Sequence, residues 1–278
     1  MVTSTMFPRV GDAVGIGFEG AVVAVGSRSV VRMWGDDAVA KVPNDGVPSS
    51  WIRQEAQFTS AVWAIGVPAH RLLGIEQHGD KLISIYERVG GPTLWSLITA
   101  EPSSAATYGE MLGDLHARVL TVAPPVSLPR QGDRLRCKLR RASASFNVPY
   151  SDSVARVPDP RQLISVCHGD FHPGNVVMSP GGPMIVDWFD ACRGDAAADI
   201  ARSSLLLGAG VPNSKHLGHL PGHTPQILRD VHEAYLTTVC GRLDIEPLLV
   251  ERWRRVEAVA RLAEGVDPTE LLELWSQG

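Results

Sequence analysis

Cys167-His168-Gly169-Asp170-Phe171-His172-Pro173-Gly174-Asn175, followed by Ile185-Val186-Asp187-Trp188, decides how this chain folds. Asp170 and Asn175 bracket a tight loop. Val176 to Met178 is a short apolar run, Ser179 to Pro183 reads as a turn, and Met184 to Trp188 is a second apolar run with Asp187 near its end. The pattern predicts loop, strand, turn, strand, acid. A hairpin this short returns the end of its second strand to the loop before its first, so Asp170, Asn175 and Asp187 are expected to converge. An acid, an amide and an acid at this spacing are what phosphoryl transfer uses: one base for the attacking hydroxyl and two hard-oxygen ligands for Mg²⁺. Asp, Asn, Gly and Pro are common in any loop, so D-x-x-x-x-N alone would mean little. Its coupling to a hairpin and a second acid is what makes the string specific.

The string resembles the aminoglycoside phosphotransferase family, small-molecule kinases with a protein-kinase-like fold. That family's pattern is H-G-D-x-x-x-x-N, an apolar strand, I-D-W, then G-D and D-x-A. This chain has His168-Gly169-Asp170, Asn175, Val186-Asp187-Trp188, Gly194-Asp195 and Asp199-Ile200-Ala201. The resemblance implies an α+β, bilobal protein-kinase-like fold. A small antiparallel-sheet lobe over residues 1–87 would bind the nucleotide, and a mainly helical lobe over 88–278 would carry catalysis and the acceptor. It implies ATP and Mg²⁺, with Asp170 as base and Asn175 and Asp187 as metal ligands. His168, Asp195 and Asp199 would brace the loop, and Asp190 is a candidate to face the acceptor. Family acceptors include aminoglycosides, choline, homoserine and sugars. Some antibiotic kinases of the family carry a further acid where this chain has His172-Pro173-Gly174, a departure that weakens the antibiotic-resistance reading.

Upstream, Val22 to Val25, Ser29 to Trp34 and Ala38 to Val42 read as strands punctuated by Gly26 and Gly35-Asp36. Gly15-Ile16-Gly17-Phe18-Glu19-Gly20 precedes the first of them. A dinucleotide-binding reading needs a helix after the last glycine, whereas Ala21 to Val25 favours a strand. A glycine loop between strands is the kinase arrangement, so Gly15, Gly17 and Gly20 are candidates to cover ATP phosphates. Lys41 sits inside the apolar strand Ala38-Val39-Ala40-Lys41-Val42, where an ammonium is costly unless paired. Its expected partners are phosphates and Glu55, the one acid in a helix expected from Trp51 to about Ala64. Strands are expected over Arg71 to Glu76 and Leu82 to Tyr86. The resemblance assigns the adenine to the backbone of Glu87 to Val89, the hinge of the family.

Helices are expected over Leu94–Ile98, Ala105–Val119, Gln226–Val239, Pro247–Ala263 and Pro268–Trp275. Asp195 stands where it can cap a helix through Ala196 to Arg202. His116 reads as a satisfied core histidine. The basic run from Arg130 to Arg141 reads as a solvated helix, with anion binding or an interdomain acid as the sharper alternative. His216, His219 and His223 lack metal-ligand spacing.

The 278 residues suit one large domain or two lobes, and 44% hydrophobic content supplies a core. A net charge of −4 gives no reason to expect nucleic acid or an anionic membrane. Four dispersed cysteines fit a reducing cytosol, and no apolar run reaches membrane-spanning length. The chain is thus expected to be cytoplasmic and to act on a small-molecule hydroxyl. Against a protein kinase stand His-Gly-Asp in place of His-Arg-Asp and Asp187-Trp188-Phe189 in place of Asp-Phe-Gly. The remaining alternative is a non-catalytic nucleotide-binding pseudokinase.

Overall fold

Valine-rich runs broken by glycine turns open the computed structural model, which describes residues 20–158, 164–208 and 224–276. Gly15, Gly17 and the three histidines at 216, 219 and 223 lie outside these residues. β1 (Val22–Val25), β2 (Ser29–Trp34), β3 (Ala38–Pro43), β4 (Leu72–His78) and β5 (Lys81–Glu87) form one antiparallel sheet in the order β1-β2-β3-β5-β4. One face of the sheet buries Ala40, Val42, Ile83 and Ile85, with Trp34 and Ala38 packed against them. The strand boundaries follow the sequence pattern because β-branched residues alternate and Gly26, Gly35 and Gly79 sit at the turns.

The chain divides into two compact units. The first comprises Met1–Ile52 and Leu72–Arg88, the second Arg53–Arg71 and Val89–Gly278. The division falls within α1 (Ser49–Ala64), whose later turns give Phe58 and Val62 to the core of the second unit.

The second unit is mainly helical: α2 (Leu94–Ala100), α3 (Ala105–Leu120), α4 (Gln131–Ser145), α5 (Tyr150–Ala155), α6 (Ala196–Gly208), α7 (Thr224–Leu243), α8 (Pro247–Leu262) and α9 (Thr269–Ser276). α3 lies against α7 along a Gly109 and Gly113 seam. A Cβ at Gly109 would stand 2.4 Å from the Val231 carbonyl, and one at Gly113 2.8 Å from that of Tyr235. Only glycine permits that approach. Two short hairpin-like sheets complete the unit. β6 (Ile164–Cys167) pairs with β9 (Cys192–Asp195), and β7 (Val176–Ser179) pairs with β8 (Gly182–Ile185). The architecture is therefore α+β, an antiparallel sheet followed by a helical remainder.

The second hairpin is tighter than the expected turn over 179–183. Ser179 pairs with Gly182 and Met178 with Pro183, leaving Pro180 and Gly181 as the loop. Proline is tolerated there because a two-stranded ribbon leaves edge positions where no ladder N–H is needed. Among the described residues no helix is long and apolar enough to cross a membrane.

Candidate active site

The loop that follows β6 is held from below by one side chain. Asp199, on the first turns of α6, accepts from the backbone N–H of His168 at 2.7 Å and of Gly169 at 2.8 Å. It also accepts from His116 Nε2 at 3.1 Å, and His116 Nδ1 accepts from the Tyr235 hydroxyl at 2.7 Å. All three side chains are buried. Burial pushes the His116 imidazole below its ordinary value and outweighs the pull of Asp199, so the ring stays neutral. Burial pushes the Asp199 carboxyl up, but His116, His168 and the Gly169 amide more than offset it. The carboxyl is thus held below its usual range, ready to accept from two main-chain donors. His116 is a satisfied core histidine, and its ring also stacks on Phe171 at 4.1 Å.

His168 fixes the loop from the other side. The Asp170 amide donates to His168 Nδ1 at 3.2 Å, so Nδ1 is unprotonated. Nε2 then carries the hydrogen, which it donates to the Val186 carbonyl at 3.1 Å. One imidazole thereby links the residue before Asp187 to the amide of Asp170. Gly169 adopts φ +78°, and a Cβ there would stand 2.4 Å from the Asp190 carbonyl, so the position requires glycine.

Asn175 lies just before β7 and is 8% exposed. Its Nδ2 donates to the Asp170 carbonyl at 2.9 Å, and its own carbonyl accepts from Val186 N at 2.9 Å. Asp187 follows β8 with φ 63° and ψ 61°, a left-handed turn that Asp adopts more readily than most residues. The hairpin thus brings Asn175 into direct contact with Asp170, with Asp187 one residue beyond Val186, which bonds to both Asn175 and His168; Trp188, the next residue, is fully buried. With its Nδ2 occupied, Asn175 keeps Oδ1 as its remaining acceptor. An amide oxygen and a carboxylate fit Mg²⁺, which takes few protein ligands and completes its shell with phosphate oxygens and water. Among the described residues no group of three or more His, Cys, Asp or Glu forms a metal cage.

Two cationic side chains flank the Asp170 carboxylate. His172 Nε2 lies 3.8 Å from Oδ2, and Arg202 Nη2 lies 3.9 Å from Oδ1. Arg202 also donates through Nε to the Gly169 carbonyl at 3.2 Å and through Nη2 to Glu264 at 2.8 Å. Burial opposes the Arg202 charge, but Glu264 and Asp170 keep the guanidinium protonated. Lys138 also reaches Glu264 at 2.9 Å. Burial pushes Glu264 up, and Arg202 and Lys138 more than reverse this, holding it at about 2.

Asp195 Oδ1 accepts from Ala197 N at 2.8 Å at the head of α6. Asp190 pairs with Arg134 at 3.1 Å, and Arg134 also donates to the Phe189 carbonyl at 3.2 Å. The basic helix is therefore solvated only in part: Arg136, Arg140 and Arg141 are exposed, whereas Arg134 and Lys138 are half-buried. Arg134, Lys138 and Arg141 stand at helical spacing on one side of α4, and they meet Asp190, Glu264 and the Ala263 carbonyl in turn. Arg136 pairs with Asp133, and Arg140 lies over the Tyr150 ring. Arg202 is a site residue that the sequence reading did not single out. Its signal was a lone arginine inside the apolar run of α6, which is costly unless paired.

In the first unit, Lys41 occupies the centre of β3, opposite Val31 on β2 and Ser84 on β5. Gly20 gives its carbonyl to Arg32 at 3.1 Å. Glu87 ends β5 with an exposed side chain, as backbone recognition allows. Val89 belongs to the second unit, as does Glu55, which is 5% exposed.

A family profile described as the phosphotransferase enzyme family matches residues 14–214. No curated protein matches the chain. Among solved structures, an aminoglycoside-3'-phosphotransferase of type VIII superposes with TM-score 0.61 at 15% identity, covering 89% of this chain and 92% of that one. The streptomycin–ATP–APH(2")-IIa ternary complex gives TM-score 0.55 at 13% identity, covering 91% and 90%. A choline/ethanolamine kinase family protein from Mesorhizobium loti gives TM-score 0.52 at 16% identity, covering 94% and 87%. At these identities the likeness is one of fold.

Proposed function

The chain belongs to the phosphotransferase enzyme family, and from that premise we propose that it moves the γ-phosphate of ATP to a hydroxyl of a small molecule. The acceptor class is an aminoglycoside, an aminosugar or a related amino-alcohol metabolite. The observation that carries the reading is the Asn175 Nδ2 bond to the Asp170 carbonyl, with Asp187 directly after Val186, whose N–H donates to Asn175 and whose carbonyl accepts from His168. Asp170 orients the acceptor hydroxyl and takes its proton. Asn175 and Asp187 hold Mg²⁺, which supplies neutralisation of the phosphate charge. His168 and Asp199 keep the loop amides satisfied, so the Asp170 carboxylate meets the hydroxyl without reorganising.

In this reading residues 1–87 supply the nucleotide contacts and residues 88–278 the chemistry and acceptor contacts. Lys41 positions the α- and β-phosphates and Glu55 holds its ammonium. The backbone at Gly15, Gly17 and Gly20 covers the phosphates, and that of Glu87 and Val89 takes the adenine. Asp195 supports the loop through α6, and Asp190 lines the acceptor side. Cys137, Cys167, Cys192 and Cys240 are free thiols, which suits a reducing cytoplasm.

The test is Mg²⁺-dependent ADP release measured across a panel of hydroxyl acceptors. Stimulation by an aminoglycoside, aminosugar or amino-alcohol supports the reading. ATP binding with no acceptor-dependent turnover anywhere in the panel would favour a non-catalytic nucleotide-binding module instead.

A further inference from the structure

Next to the catalytic loop the second unit holds a cavity of about 40 Å³, walled in part by Gly169, Asp190, Lys138, Arg202 and Glu257. A polar space of this size has room for a water or for the tip of a small ligand. One of its walls is a buried polar group left incomplete, and another is a carboxyl. Arg202 is 5% exposed, and two of its nitrogens are used on Gly169 and Glu264. Its Nη1 is buried with no hydrogen-bond partner among the described residues. Glu257 is 7% exposed and makes no hydrogen bond or ion pair among the described residues. The two side chains are close enough for their charges to interact. A buried donor without a partner costs about 1–3 kcal/mol, and more when charged, so Arg202 Nη1, in a cavity that Glu257 also lines, marks a place that something else completes.

The chemistry of the pair selects what fits. A guanidinium N–H needs a lone pair, and a carboxyl oxygen needs a proton. A hydroxyl offers both at once. An ammonium has no lone pair for Arg202 and would meet its charge. A carboxylate has no proton for Glu257 and would also face Asp199. Position matters as well, because Nη1 and Nη2 belong to one planar group and Nη2 lies 3.9 Å from Asp170 Oδ1. A hydroxyl on Nη1 therefore sits beside a hydroxyl presented to Asp170, the separation of neighbouring groups on a carbon chain or sugar ring.

We propose that this cavity is an acceptor subsite that binds a second, non-reacting hydroxyl, with Arg202 donating to it and Glu257 accepting from it. The enzyme then selects polyols and sugars with a hydroxyl beside the one phosphorylated, over acceptors whose neighbouring group is an amine or a carboxylate. The inference rests on the phosphotransfer reading and narrows its acceptor class.

Ethylene glycol, ethanolamine and glycolate test it, since each keeps one hydroxyl and varies only the second group. Binding is followed by saturation-transfer NMR on the full chain, and turnover by ADP release. The expected order places ethylene glycol above both others by about tenfold, the worth of one good hydrogen bond. Glu257→Met, with folding checked by melting, should erase that preference, and Arg202→Lys should weaken it. An equal or stronger response to ethanolamine or glycolate, or a preference unchanged in Glu257→Met, overturns the proposal. If no acceptor of the wider hydroxyl panel releases ADP, the phosphotransfer reading fails on its own, while the NMR order of the three probes still decides the subsite.

Discussion

Replacing Asp199 by alanine should cripple both the stability and the turnover of this protein. The carboxylate holds two buried main-chain donors, His168 N and Gly169 N, at 2.7 and 2.8 Å, and a third donor, His116, at 3.1 Å. A hydrogen bond to a charged acceptor contributes about 1.5–3 kcal/mol. Losing the two backbone bonds alone should therefore cost about 3–6 kcal/mol, a large part of the roughly 5–15 kcal/mol that holds a typical domain together. Urea unfolding of Asp199→Ala should show a lower midpoint at an unchanged slope, and the melting temperature should fall by about 10 °C. Asp199→Asn keeps one oxygen acceptor but turns an amide donor toward a second N–H, so it should recover only part of the loss. Turnover measured below the melting point should fall in both variants, because Gly169 precedes the proposed base, Asp170. A loss under about 1 kcal/mol with normal turnover would refute the idea that Asp199 braces the loop.

Asp187→Ala should abolish the Mg²⁺ dependence of nucleotide binding, read by calorimetry with and without the metal; unchanged binding removes it as a ligand. Gly169→Ala should lower both melting temperature and turnover, since its Cβ would collide with the Asp190 carbonyl at a φ of +78°; a wild-type melting curve contradicts this. Acid sensitivity should arise partly at Glu264. Its carboxyl is held at about 2 against an ordinary 4.5, so its folded value lies below the unfolded one. The stabilisation is complete above pH 4.5 and is lost as pH falls through about 2. It amounts to about 3 kcal/mol, and Glu264→Gln should flatten that part of a stability-against-pH curve.

The hairpin that carries the proposed site residues was legible because its information is local. Spacing alone placed Asp170, Asn175 and Asp187 around one turn, and the valine-rich runs with their glycines placed β1 to β3 within a residue. The Asp199 clamp was visible only through family resemblance, because its two bonds span about thirty residues. The ionic network around Arg202 was not legible. Its partners lie 62 residues away at Glu264, and Lys138 reaches that same acid across 126. The basic run was read as a solvated helix because nothing in its spacing shows that Asp190, Glu264 and the Ala263 carbonyl meet Arg134, Lys138 and Arg141. The turn before β8 was read too long because proline was taken as a strand breaker, while a two-stranded ribbon leaves it an edge position.

The central claim is that Asp170 is the base of a phosphoryl transfer. Asp170→Asn keeps the size of the side chain and its backbone bonds to His168 and Asn175 but removes the proton acceptor. With any hydroxyl acceptor that stimulates ADP release by the wild-type protein, this variant should bind Mg-ATP normally and turn over about 10²–10⁴ times more slowly. Normal nucleotide binding with near-wild-type turnover would contradict the account.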